Sequence, residues 1–322
     1  MLPGRVGAVG AINARGKEQD LMRKLLLAAA LILPAAVASA EENVQSVNAV
    51  AGVAPPSAEE TAKAAPEPKP VIDCTGKLGV SRVAEVDTTG GGEYGEQYAP
   101  TKLLEKGEVV ITFDDGPHPT FTREILAALA EQCTKATFFQ VGQMIKSFPD
   151  IAKEVQAEGH TVGTHTWSHR NMGAVSLDRA KSQIESTINI AEATLPNGVA
   201  PFFRFPYLSD PKRVRDYLAS RNIAVMGIDA DSFDWRYRSA DRVFKNIFSA
   251  LDKSGGGIML FHDIHPQSAK AIPAVLAELK ARGFKVVHLV PKSRVEVVAA
   301  AEPEPMKNPL RRSHKRRRAA KR

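Results

Sequence analysis

Short apolar runs alternate with stretches of helical spacing between residues 108 and 290, and this alternation constrains the fold more than any other feature of the sequence. The runs are rich in β-branched and aromatic residues and cover 109–113, 136–141, 161–165, 202–206, 223–229, 257–263 and 284–290. Strands that alternate with helices pair in parallel, and continuously apolar strands belong to a sheet covered on both faces. The pattern predicts an α/β domain of about seven parallel strands, either closed into a barrel or left as an open sheet.

Helical spacing of apolar residues occupies six of the connecting stretches. These are Phe121 to Glu131, Asp150 to Glu158, Leu177 to Leu195, Pro211 to Ser220, Ala240 to Lys253 and Ala269 to Arg282. One further short strand is predicted from Ser81 to Val86. With 322 residues, 43% of them apolar, the chain can bury a full hydrophobic core, and we expect one domain with unfolded ends.

Polar residues collect where the predicted strands end. Five strands end at Asp114-Asp115, His165 to His169, Arg204 to Tyr207, Asp229 to Trp235 and His262-Asp263. Parallel α/β folds place active sites beyond the carboxyl ends of their strands, so we expect these clusters on one rim. For Asp114-Asp115-Gly116-Pro117 taken alone, the alternative is a polar turn that closes a strand.

Two histidines stand four residues apart in His165-Thr-Trp-Ser-His169. On a lone helix this spacing is often a surface pair or a core histidine. After a strand, the pair can face one aspartate of Asp114-Asp115, which gives two imidazoles and a carboxylate. A catalytic ion of the zinc kind uses three such ligands and lowers the pKa of a water molecule. The other aspartate of the pair, which does not bind the ion, would then serve as general base.

Arg204 ends an aromatic strand, Phe202-Phe203-Arg204-Phe205. An arginine among core aromatics is costly to bury without an anionic partner, and Asp114 is the natural candidate. The alternative is an ordinary structural ion pair. Pro206 lacks a backbone donor and fixes the turn, which leaves the N–H of Tyr207 free to point at a developing oxyanion.

His262 follows the buried-strand run 257–261. Asp234, from the strand before it, can orient this histidine and keep it protonated, as a general acid requires. The alternative is a core histidine with satisfied hydrogen bonds.

Five sequence blocks together resemble the polysaccharide deacetylase family, whose catalytic unit is the NodB homology domain. In chain order they are Thr112-Phe-Asp114-Asp115-Gly-Pro, His165-Thr-Trp-Ser-His169, Arg204-Phe-Pro-Tyr207, Asp231-Ser-Phe-Asp234-Trp235 and Leu260-Phe-His262-Asp263. Each block alone is a weak signal, but five in order are a strong one. The similarity spans Glu108 to Val290.

The resemblance implies a distorted (β/α) barrel that hydrolyses N-acetyl groups of glucosamine-containing glycans of the peptidoglycan or chitooligosaccharide type. It implies one divalent metal ion, with zinc expected ahead of cobalt, nickel or manganese. Because the family also contains acetylxylan esterases, an O-acetyl esterase is the main alternative. A glycan-binding envelope protein without turnover is a further alternative, which the complete set of catalytic residues disfavours.

The same resemblance assigns a role to each matching residue. The metal ligands are Asp115, His165 and His169. The catalytic residues are Asp114 as general base, Arg204 beside it, His262 as general acid and Asp234 as its orienting partner. The substrate-binding residues are Tyr207, through its backbone N–H, with Trp235 and Leu260 around the acetyl methyl group.

The amino end has the pattern of a secretory signal. Met22 precedes Arg23 and Lys24, then an apolar stretch over 25–37, then Ala38-Ser39-Ala40. We expect residues 1–40 to carry a signal peptide with its true start at Met22, and the protein to be periplasmic or secreted. A permanent anchor is the alternative, although the apolar stretch is short for a bilayer.

The two cysteines, Cys74 and Cys133, are an even pair that an oxidising compartment can join in one disulfide. The alternative is two unpaired thiols, with Cys133 packed as a small apolar residue.

The remaining segments flank the predicted catalytic domain, 108–292. We predict that residues 41–70 are a disordered linker, that 71–107 are a loop-rich segment before the catalytic domain, and that 293–322 are a disordered basic tail. Residues 306–322 carry nine Lys and Arg and no acid, which exceeds the net charge of +7 for the whole chain. The fold itself is therefore acidic, and we expect no nucleic-acid partner. The tail could contact anionic envelope polymers or membrane surface, and we expect a monomer.

Overall fold

The computed structural model describes residues 73–98 and 103–298. The predicted signal peptide (1–40), the linker (41–70) and the tail beyond residue 298 lie outside the described residues. No helix in the two described ranges is long and apolar enough to cross a membrane.

The sheet contains ten strands in the described part of the chain. They are β1 Arg82–Val86, β2 Glu93–Tyr94, β3 Glu108–Asp114, β4 Thr137–Gln140, β5 Thr161–Thr164, β6 Phe202–Phe203, β7 Ala224–Met226, β8 Ala230–Asp231, β9 Gly257–His262 and β10 Lys285–Pro291. The pairings between these strands are all parallel. The predicted α/β class with parallel strands is confirmed.

Seven α-helices connect the strands within the described ranges. They are α1 Phe121–Glu131, α2 Gly142–Ser147, α3 Pro149–Ala157, α4 Leu177–Thr194, α5 Lys212–Ser220, α6 Ala240–Ser254 and α7 Pro266–Ala281. Helices α4 and α6 begin at serines whose hydroxyl groups accept a backbone N–H of the first turn, at Ser176 and Ser239. Helix α6 ends at Gly255, where φ is 73°.

β3 pairs with three strands, β4, β9 and β10. β4, β5, β6, β7 and β2 follow in order on one side of the path, and β10 and β1 on the other. β9 pairs with β3 along 109–114 and also with β8. Within the described ranges, β8 pairs with β9, and no ladder joins β8 to β7 or β2.

Alternation along the strands produces two apolar cores. One is enclosed by the strands, and its buried members are Ala84, Val86, Val110, Phe139, Ala200, Phe202, Ala224, Met226, Ile258, Val287 and Leu289. The other, to which Ile111 and Phe113 belong, packs the outer faces of the strands against the helices. Asp114 continues the inward alternation of Val110 along β3. The barrel interior therefore changes from apolar to charged at the carboxyl ends of the strands.

Strand register brings residues from distant parts of the sequence side by side. Asp114 at the end of β3 lies opposite Phe139 of β4 and His262 of β9. The predicted common rim is thus formed by the register of the parallel strands.

A disulfide joins Cys74 to Cys133. It ties the segment before β1 to the chain that follows α1. The sequence left two alternatives for the cysteines, a disulfide or two unpaired thiols, and the structure contains the disulfide.

The structure differs from the sequence predictions of local structure in several places. Ten strands are described where about seven were predicted, and the run 202–206 is a strand only over β6 Phe202–Phe203. The run 223–229 is a strand only over β7 Ala224–Met226, and beyond it the Asp229 side chain accepts the N–H of Ile258 at 2.6 Å. Helix α2 was missed, because it is six residues long and begins at Gly142 without a side-chain cap.

Candidate active site

A cavity of about 390 Å³ opens at the carboxyl ends of the strands. Its lining residues are Asp114, Asp115, His165, His169, Phe205, Tyr207, Leu208, Asp231, Trp235, Leu260 and His262. Eight of the ten predicted site residues are in this set. The other two, Arg204 and Asp234, are both fully buried and contact Asp114 and His262 from behind.

Asp115, His165 and His169 form the one group of three or more potential metal ligands found in the described ranges. One ligand atom from each residue lies within 4.8 Å of the others. The Asp115 Oδ1 atom is 3.5 Å from His165 Nε2 and 3.2 Å from His169 Nε2. The two histidines come from the segment after β5, and the aspartate from the turn after β3.

This turn geometry depends on backbone conformations that are uncommon for residues other than glycine. Asp115 has φ 77°, Thr166 has φ 65° and His169 has φ 51°. Such left-handed positions cost on the order of 1–3 kcal/mol each and cluster at functional sites. Here they turn the carboxylate and both imidazoles toward a common point.

The donor set fits a divalent ion of the zinc kind. His165 Nδ1 lies 2.8 Å from the backbone oxygen of Arg204, which accepts its proton and leaves Nε2 with a lone pair facing Asp115. Burial lowers the pKa of His165 to about 3, so the ring is neutral, as a ligand must be. The Asp115 Oδ1 atom is buried and has no hydrogen-bond partner in the described part of the chain. A buried carboxylate oxygen without a donor is a costly arrangement that a cation would relieve.

Asp114 is held by the buried Arg204. The Nη1 group of Arg204 donates to Asp114 Oδ1 at 2.8 Å and to Thr112 Oγ1 at 2.6 Å. Its Nε and Nη2 groups donate to the backbone oxygens of Met226 and Gly227. Burial raises the pKa of the Asp114 carboxyl, and the Arg204 guanidinium opposes that rise. The Oδ2 atom of Asp114 remains on the cavity side, 3.9 Å from His165 Nε2.

His262 and Asp234 form a second buried pair on the opposite wall. Asp234 Oδ1 lies 2.6 Å from His262 Nδ1, and Oδ2 accepts the backbone N–H of His262 at 2.7 Å and the Ser268 hydroxyl at 2.5 Å. Burial alone would lower the pKa of His262, but the hydrogen bond and charge of Asp234 outweigh it and raise that pKa to about 10. The imidazolium form is therefore stable at neutral pH, with Nε2 available to the cavity.

The predicted substrate-binding residues lie around the mouth of the cavity. Trp235 is 55% exposed, and its Nε1 donates to Asp231 Oδ2 at 3.4 Å. The Tyr207 ring packs edge-on against His169 with 4.6 Å between ring centroids. Leu260 also lines the cavity and is buried. The roles assigned to these side chains, and to the Tyr207 N–H, remain predictions.

Sequence reasoning missed some residues of the site. Phe205, Leu208 and Asp231 line the cavity but were given no role. Asp263 is buried beside the turn after β3, and burial raises its pKa to about 7 against the opposing hydrogen bond from Thr122. Its position directly after His262 was the available signal.

Comparison with known proteins identifies the family of the chain. The sequence model of the family described as polysaccharide deacetylase matches residues 102–226. A peptidoglycan-N-acetylglucosamine deacetylase of Bacillus cereus is 34% identical over 197 residues, which cover 60% of this chain and 70% of the relative. A chitooligosaccharide deacetylase of Azorhizobium caulinodans is 32% identical over 198 residues, which cover 56% of this chain and 91% of the relative. The chain belongs to the polysaccharide deacetylase family.

Solved structures of the family share the fold. The peptidoglycan deacetylase Bd3279 of Bdellovibrio bacteriovorus aligns with a TM-score of 0.60 at 28% identity, over 68% of this chain and 63% of that one. The Bc1960 peptidoglycan N-acetylglucosamine deacetylase aligns with a TM-score of 0.55 at 28% identity, over 66% of this chain and 95% of that one. The predicted distorted (β/α) barrel of the NodB type is confirmed.

Replacing Arg204 by Met should destabilise the fold strongly. The change leaves Asp114 buried without its cation and removes the donors to two backbone oxygens, which costs about 3–5 kcal/mol. The free energy of unfolding in urea measures this loss. Arg123→Met, which breaks a half-exposed pair with Glu154, is the matched control and should cost below about 1 kcal/mol. Equal losses for the two variants would contradict the account.

Replacing Asp234 by Asn should shift the alkaline limb of the pH–rate profile to lower pH. The sequence predicts His262 as the general acid, which must be protonated, so we expect activity to fall as the pH rises through the pKa of His262. Removing the carboxylate lowers that pKa, by about 1–3 units for a close opposite charge. The profile of kcat/KM measures the shift, and Asp216→Asn, on the exposed surface of α5, is the control. An alkaline limb at the same pH in Asp234→Asn would show that Asp234 does not raise the pKa of the group that limits activity, and would contradict the prediction.

Proposed function

We propose that the protein is a metal-dependent hydrolase that removes N-acetyl groups from polysaccharides or oligosaccharides containing N-acetylglucosamine. The observation that carries the proposal is the joint placement, in one cavity, of an Asp/His/His ligand set, a buried carboxylate and a carboxylate-paired histidine. Amide hydrolysis needs a base for the attacking water and an acid for the leaving amine. The two walls of the cavity supply one of each.

Asp115, His165 and His169 would hold the metal ion. When bound, such an ion acts as a Lewis acid and lowers the pKa of a water molecule toward neutrality. The identity of the ion is part of the proposal. Zinc suits two imidazoles and one carboxylate, and cobalt, nickel or manganese are the other candidates.

Asp114 removes the proton from the attacking water in the proposed reaction. Its Oδ1 atom is occupied by Arg204, so Oδ2 on the cavity side takes the proton. The water oxygen bonds to the acetyl carbonyl carbon, and negative charge develops on the carbonyl oxygen. The backbone N–H of Tyr207, at the edge of the cavity, is proposed to stabilise that charge.

His262 donates the proton that completes the reaction. Asp234 engages Nδ1, so the proton passes from Nε2 to the amide nitrogen as the carbon–nitrogen bond breaks. The products are acetate and a free amine on the sugar. Trp235 and Leu260 are proposed to enclose the acetyl methyl group, because both line the cavity beside His262.

The proposed substrate class is inferred from the names of the relatives. They are named peptidoglycan-N-acetylglucosamine deacetylase and chitooligosaccharide deacetylase, and we propose that this chain takes glycans of these types. Acetate release from peptidoglycan, N-acetylglucosamine oligomers and acetylated xylan compares the candidates. Faster release from the xylan would favour an O-acetyl esterase, and glycan binding without release of acetate would favour a non-catalytic protein.

Metal removal should abolish acetate release, and added zinc should restore it. His169→Gln should lower kcat/KM by about 100-fold or more, because it deletes a ligand of the ion. His288→Gln is the matched control, since His288 lies outside the cavity and contacts Thr161. Unchanged turnover after thorough chelation would contradict the proposal.

We propose that the protein is exported. The signal pattern before residue 41 supports this, as does the disulfide between Cys74 and Cys133, since such bonds persist in oxidising compartments. The basic tail is proposed to contact anionic envelope polymers or the membrane surface.

Protein recovered from the cell envelope should begin at Glu41 and contain no free thiol after denaturation. Amino-terminal sequencing and a thiol assay measure both properties. Recovery from the cytoplasmic fraction with residues 22–40 still attached would contradict export.

A further inference from the structure

Asp263 directly follows β9 and the proposed general acid, but its side chain faces away from the cavity. His262 lines the cavity, whereas Asp263 is only 1% exposed and is not among the lining residues. This agrees with the alternation of side chains at the end of a strand. Asp263 therefore does not touch a substrate, and any role it has acts through other residues.

The contacts of Asp263 fall on the turn that carries the metal ligand Asp115. The backbone N–H of Asp263 donates to the backbone oxygen of Asp114 at 3.3 Å. Its carboxylate packs so closely on Gly116 that a Cβ atom at position 116 would overlap both carboxylate oxygens. Asp263 thus contacts the residues on both sides of Asp115.

A second anchor lies where α1 begins. The hydroxyl group of Thr122 donates to Asp263 Oδ2 at 2.6 Å and accepts the backbone N–H of His118 at 2.7 Å. Asp263 therefore connects β9 to both ends of the segment 114–122. The connection joins two elements that are 141 residues apart in the sequence.

Asp115 needs such support because its backbone is unfavourable. Its φ of 77° lies in the left-handed region, which residues with a Cβ adopt at a cost. Strained positions of this kind persist only where their surroundings over-determine them. The contacts of Asp263 with Asp114 and Gly116 supply that constraint.

Apart from the hydrogen bond with Thr122, burial of a carboxylate at this position is unfavourable for the stability of the fold. Its Oδ1 atom is buried and has no hydrogen-bond partner among the described residues, which is unfavourable for a charged group. A well-packed apolar side chain would avoid that cost. The arrangement is better explained by what it holds in place.

We propose that Asp263 is a positioning residue that fixes the Asp114-Asp115-Gly116 turn, so that the Asp115 carboxylate is presented to the metal ion. The inference rests on the proposed function, which gives Asp115 its role as a ligand. Through its neighbour His262, Asp263 also ties the ligand turn to the strand that carries the general acid.

Zinc affinity of the metal-free full-length protein tests this inference without relying on turnover. Competition with a chromophoric chelator should show Asp263→Ala binding zinc about 10- to 100-fold more weakly than the unsubstituted protein. The kcat of the zinc-loaded variant should fall while KM stays unchanged, because the substrate does not contact Asp263. A merely structural role would lower the melting temperature and leave the zinc affinity of the folded protein unaltered.

Thr122 provides an independent route if Asp263→Ala does not fold. Thr122→Val removes the hydroxyl group that holds Oδ2 and should weaken zinc binding in the same direction, while Thr122→Ser should restore it. Thr134→Val is the matched control, because Thr134 is equally buried but follows α1 at its other end, outside the cavity.

Two results would overturn the inference, and they have different meanings. The first result is an unchanged zinc affinity and kcat in folded Asp263→Ala or in Thr122→Val. It would show that Asp263 has no positioning role, and it would leave the proposed function intact. Absence of binding of zinc, cobalt, nickel and manganese by the unsubstituted protein would contradict the metal site itself, and with it the proposed function.

Discussion

The candidate site depends on the buried guanidinium of Arg204. It is one of the largest fully buried side chains in the described residues, and all of its nitrogen atoms donate hydrogen bonds. Burying a charge costs several kcal/mol unless it is paired and fully hydrogen-bonded. The Asp114 carboxylate, one hydroxyl group and two backbone oxygens at the end of β7 meet that requirement. The face of the guanidinium also lies over the Phe139 ring, 4.2 Å from its centroid.

Arg204 connects the two halves of the proposed chemistry. Its side chain occupies one oxygen of Asp114 and leaves the other for proton transfer. Its backbone oxygen accepts the Nδ1 proton of His165 and so determines which ring nitrogen faces Asp115. The proposed general base and a proposed metal ligand are therefore both held by one residue, at the point where the apolar interior of the barrel gives way to charged groups.

The sequence predicts those parts of the site that follow from strand periodicity. Asp114, His165, Arg204 and His262 each lie at or just beyond the end of an apolar run, and parallel pairing places such positions on one rim. The helix from Phe121 to Glu131 was predicted with its observed bounds, because its apolar spacing is regular. The histidine pair predicted two roles for the neighbouring aspartates, one as metal ligand and one as general base, and the resemblance to a family decided which aspartate has which role.

Other features depend on contacts that a single sequence does not show. β2 has two residues and forms only through pairing with β7, so no local pattern marks it. Helix α2 is too short for its periodicity to be recognised. The contact of Asp263 with Thr122 joins the end of β9 to the start of α1. Nothing in the sequence around either residue predicts that the two side chains meet.

Anomalous diffraction at the zinc edge, from crystals of the protein soaked with zinc, tests the central claim most directly. The account predicts one dominant peak in contact with Asp115, His165 Nε2 and His169, with Asp114 still paired to Arg204. A zinc peak at another group of residues, or none at these three ligands in a protein that releases acetate, would contradict it.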